Sequence, residues 1–68
     1  MTRPLSVLET LWTRGSIRCV FVQYLQPPVY AVQVFDGTTV IYGELTDGRE
    51  EALNVAATLW TVFIDRTA

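Results

Sequence analysis

The side chains able to do chemistry in this chain are few, and their spacing argues against a reaction. There is no histidine, so neither imidazole acid–base catalysis nor a histidine zinc ligand is available. Cys19, the one cysteine, sits in an apolar segment without a neighbouring base and reads as a small buried hydrophobe. Asp36 precedes Gly37 as in a hairpin turn, and Asp47 stands where a helix begins. Glu50 and Glu51 are adjacent, which turns them about 100° apart on a helix and keeps them from converging. No glycine-rich phosphate cradle is present. The expectation is no enzyme, no catalytic residue, no metal site and no cofactor. Trp12 and Trp60 could stack on bases, but they lack basic neighbours, which assigns them to packing.

Five arginines, no lysine and seven acids give a net charge of −2 over 68 residues. Arg3, Arg14, Arg18, Arg49 and Arg66 are dispersed rather than gathered into the basic patch of a nucleic-acid binder. One cysteine allows no internal disulfide and fits a reducing compartment. The start lacks the apolar region of a secretory signal. The nearly apolar run from Val55 to Ile64 is too short to span a bilayer. These features predict a cytoplasmic protein with no membrane contact.

Residues 1–68 form one domain at most. A domain of this size buries about 60% of its unfolded surface and gains from association. Pro4 to Arg14 reads as a short helix with Leu5, Leu8 and Trp12 on one side. Pro4 suits its first position, Ser6 and Glu9 could form a capping box, and Gly15 stops it. Ile17 to Leu25, Val29 to Phe35 and Thr38 to Leu45 read as strands, punctuated by Pro27-Pro28 and Asp36-Gly37. Asp47, with Glu50 three residues on, opens a final helix running from Arg49 to Asp65. The expected fold class is α+β, in the order α-β-β-β-α: a three-stranded antiparallel meander with both helices packed on one face.

The final helix carries more apolar surface than one small sheet covers. Ala52, Val55, Ala56, Leu59, Val62 and Phe63 form one face, and Leu53, Ala57, Trp60 and Ile64 a second stripe beside it. That stripe is the expected interface of a homo-oligomer or of a complex with another protein. The outer sheet face competes with it. Phe35 would be exposed there with Ile17, Cys19 and Phe21 or with their alternate parity, and with Ile41.

The order of elements resembles that of the double-stranded-RNA-binding domain. Pro4, Leu8 and Glu9 stand in its first-helix pattern, Tyr30, Val32 and Val34 in its second strand, and Ala52, Ala56 and Ala57 in its last helix. The resemblance implies RNA contacts from Glu9, with Arg14, Arg18 and Arg49 as basic groups. The departures fall on the binding residues. Where the family has three lysines stand Arg49, Glu50 and Leu53, and Gln26-Pro27-Pro28 replaces its Gly-Pro-x-His loop. Since phosphate contacts carry much of such affinity, nucleic-acid binding is expected to be weak or absent. A looser likeness to the βββα core of HicB-type antitoxins, through Glu50-Glu51-Ala52-Leu53, leaves the first helix unexplained. The sequence thus reads as a small non-enzymatic protein-interaction module, homodimeric, with a weak double-stranded-RNA binder and a HicB-antitoxin-like module as alternatives.

Overall fold

The computed structural model describes residues 5–24 and 29–65. Four strands precede one helix: β1 (Leu5–Arg14), β2 (Ile17–Tyr24), β3 (Val29–Asp36), β4 (Thr39–Thr46) and α1 (Arg49–Phe63). The strands form one antiparallel sheet in the order β1-β2-β3-β4. This corrects the expected α-β-β-β-α order: the segment read as a first helix is an edge strand, and a single helix covers the sheet.

The register of β1 explains the misreading. Val7 pairs with Val22 and Glu9 with Phe21, then Thr10 with Val20 and Trp12 with Cys19. Leu8 and Leu11 are therefore extra residues at two irregularities. Each inserted residue turns a period of two into a step of three. Glu9 and Trp12 share one face and Val7 and Thr10 the other, a spacing that imitates a helical stripe. Gly15, expected as a helix stop, instead opens the two-residue turn Gly15-Ser16 between Arg14 and Ile17. Its φ of 61° suits the first position of such a turn, where glycine bears no Cβ penalty. Gly37 does the same at φ 66° between β3 and β4, one residue later than an Asp-Gly turn would place it. The two turns touch: the Gly37 N–H donates to the Ser16 carbonyl, and the Ser16 hydroxyl to Asp36 Oδ1, both at 2.8 Å.

The helix α1 starts at Arg49 as expected, but its N-cap lies one position later than Asp47. Gly48 is the N-cap residue, and Glu51, not Glu50, reaches back to accept from the Asp47 N–H. Glu50 and Glu51 stand in the first turn, where the helix dipole favours negative charge. Expectations for Arg3, Pro4, Gln26-Pro27-Pro28 and Arg66 lie outside the described residues.

The core forms between α1 and one sheet face. Cys19 and Phe21 from β2, and Val32 and Val34 from β3, pack against Ala52, Ala56 and Leu59. Alanines let the helix approach the sheet closely, and Phe21 and Tyr30 stack at 5.6 Å beneath it. The alternate parity faces away from the helix. Val20, Val22 and Ala31, flanked by Tyr24 and Phe35, form a second apolar cluster there. Among the described residues no helix is long and apolar enough to cross a membrane.

Candidate functional site

Since α1 lies across the sheet, its two flanks meet different edges. On the β1 flank the Trp12 indole N–H donates to the Ala56 carbonyl at 2.8 Å. Trp12 also meets Trp60 edge to face, with ring centroids 5.2 Å apart. Arg49, on the same flank, holds Glu9 through two hydrogen bonds of 2.8 and 3.1 Å. Strand β1 thus covers part of Trp60 from within the chain. Trp60 and Ile64 are half-buried, while Leu53 and Ala57 stay exposed, Leu53 at 40%.

The β4 flank has no such cover. Every residue of β4 from Thr39 to Leu45 is exposed, and only Thr46 is buried. Tyr42, on the helix side, reaches Phe63 at 6.0 Å between ring centroids. Beside that contact a groove of about 560 Å³ opens between β4 and α1, with Tyr42, Val55, Leu59, Val62 and Phe63 in its walls. The sequence showed this surface only as a signal: Val40, Ile41, Tyr42 and Leu45 are apolar in a strand whose single charge is Glu44. On the outer side Gly43 pairs with Gln33, and a smaller notch of about 270 Å³ lies over them.

Among the described residues no group of three histidine, cysteine or acidic side chains converges to hold a metal. Burial pushes the Cys19 thiol up to about 11, away from the reactive thiolate. The Tyr42 hydroxyl donates to Glu44 Oε1 at 2.7 Å, and that hydrogen bond raises its pKa. The hydrogen bond from Arg49 lowers the Glu9 pKa.

The four residues that the RNA resemblance singles out are dispersed in role. Glu9 and Arg49 engage each other, Arg18 lies over the Phe35 ring at 5.1 Å on the outer face, and Arg14 ends β1. Of the motif residues behind that resemblance, Leu8 and Glu9 sit on a strand instead of a helix. No protein-family model, no curated protein and no solved structure matches the chain.

Proposed function

We propose that this chain is a small non-enzymatic protein-interaction module that works as a homodimer. One observation carries the reading. Among the described residues, β4 holds four of the eight large apolar side chains that are exposed: Val40 at 49%, Ile41 at 42%, Tyr42 at 37% and Leu45 at 67%. Scattered exposed apolar residues are ordinary, but a concentration on one strand, beside an open groove that sets Val55, Val62 and Phe63 next to Glu44 and Glu51, marks an interaction surface.

The size of the domain supports self-association. One helix covers one sheet face, and the β4 flank beside it is left to water. Cores this small supply roughly 3–5 kcal/mol, and dimerisation is a common remedy.

Sedimentation of the full chain, run beside a filter-binding titration with duplex RNA at low salt, tests this. The reading expects a dimer and no tight RNA complex. A monomer at tens of micromolar, or tight and salt-sensitive RNA binding, would overturn it.

A further inference from the structure

Strands β1 and β4 are the two edges of the sheet, and each presents a row of unpaired backbone N–H and C=O groups. They are not equivalent. The β1 edge is broken by two register irregularities, which twist an edge away from an incoming strand. The β4 edge has one, between its pairings with Phe35 and Val34, where Ile41 is the extra residue. From Tyr42 to Thr46 its register is regular, with no proline, lysine or arginine to block pairing.

Resting on the homodimer reading, the geometry points to β4 of a second copy as the occupant of this edge, paired antiparallel about a two-fold axis through Gly43. The dimer is one continuous eight-stranded sheet with both helices on the same face.

The two-fold axis fixes that face: it stands normal to the sheet and carries each helix to the same side. The groove lies on the helix side of β4, so the two grooves meet across the axis, with Val55, Val62 and Phe63 in their apolar walls beside Glu44 and Glu51. Same-face pairing also fixes the kind of register. Side chains alternate along a strand, so residues directly opposite must share a parity, and the axis passes through a residue rather than between two.

Charge and regularity then select the residue. An axis through Glu44 sets the two carboxylates directly opposite each other, which is destabilising. An axis through Tyr42 carries the Ile41 irregularity into the middle of the paired run. An axis through Gly43 keeps the run from Tyr42 to Glu44 regular and sets Tyr42 opposite the partner's Glu44, a pair that occurs twice. Hydroxyl meets carboxylate. In the single chain the Tyr42 hydroxyl donates its one proton to its own Glu44, so pairing exchanges that bond for the one across the axis.

Cross-linking of the full chain tests the register. Gly43 has no positive φ, and a Cβ there meets Gln33 Cγ at 3.9 Å and the Val32 carbonyl oxygen at 4.0 Å, ordinary contacts that a cysteine tolerates. Directly opposite residues have Cα atoms about 4.5–5.5 Å apart, inside the range a disulfide needs. The native Cys19 is buried and stays silent. Under mild oxidation Gly43→Cys is expected to double in mass, while Leu45→Cys and Leu53→Cys do not. An equimolar mixture of Tyr42→Cys and Glu44→Cys chains is expected to cross-link although neither does alone, which keeps the test informative if Gly43→Cys fails to fold. A wild-type chain that sediments as a dimer while these pairs stay uncoupled, or while Leu53→Cys couples instead, overturns the β4 register and leaves the homodimer standing. A wild-type monomer overturns both.

Discussion

The indole N–H of Trp12 donates to the carbonyl of Ala56 at 2.8 Å, tying the first strand of the sheet to the middle of its helix. This carbonyl lies inside the helix, so the indole is an added donor. Replacement by phenylalanine keeps most of the apolar contact and leaves no polar group stranded. Trp12→Phe is therefore expected to cost about 1 kcal/mol, the net worth of a typical hydrogen bond, with no change in oligomeric mass. Thermal denaturation of the variant beside wild type measures it. An unchanged melting temperature would show that this bond does not stabilise the fold.

The same contact separates the two helix flanks. Leu45→Lys places a charge on the β4 surface, where the side chain is 67% exposed and contributes little to the monomer. It is expected to shift the equilibrium to monomer with the melting temperature of the isolated chain nearly unchanged. Leu53→Lys lies on the opposite flank and is expected to leave the mass unchanged. Size-exclusion chromatography with light scattering distinguishes them. Dissociation by Leu53→Lys and not by Leu45→Lys would move the interface to Leu53, Ala57, Trp60 and Ile64.

Three strands and the long helix were legible in the sequence because their signals are local: β-branched runs at Val29 to Phe35, turn glycine at Gly37, and helical spacing from Ala52 to Phe63. The first element was not legible. Its two extra residues, Leu8 and Leu11, give a strand the three-residue steps of a helix, and only pairing with β2 resolves the ambiguity. The cover over Trp60 was hidden for the same reason, since a bulged strand brings Trp12 beneath it. The parity left open for the outer sheet face resolves to Val20, Val22 and Tyr24 with Phe35. The β4 edge becomes visible as a surface only once the strands are ordered in the sheet and the helix is packed on it.

Burial holds the Cys19 thiol protonated, up to about 11 against an ordinary value of 9.0. An acid whose folded pKa is raised contributes stability that is fully present below its unfolded pKa. That stability is lost as pH rises through the folded pKa. Stability is expected to fall by about 2–3 kcal/mol between pH 9 and 11. Tyr42, raised by its hydrogen bond to Glu44, adds a loss of the same sign above pH 10. Denaturant melts across that window check this. Cys19→Ala should show a flatter profile, and a slope equal to wild type would place the loss on other groups.

The central claim is that a second copy completes this domain, and sedimentation velocity of the full chain across a dilution series tests it most directly. The account predicts a single species of twice the chain mass at tens of micromolar, giving way to monomer on dilution, with thermal stability falling in parallel. A chain that stays monomeric throughout the series, with a melting temperature independent of concentration, would contradict it.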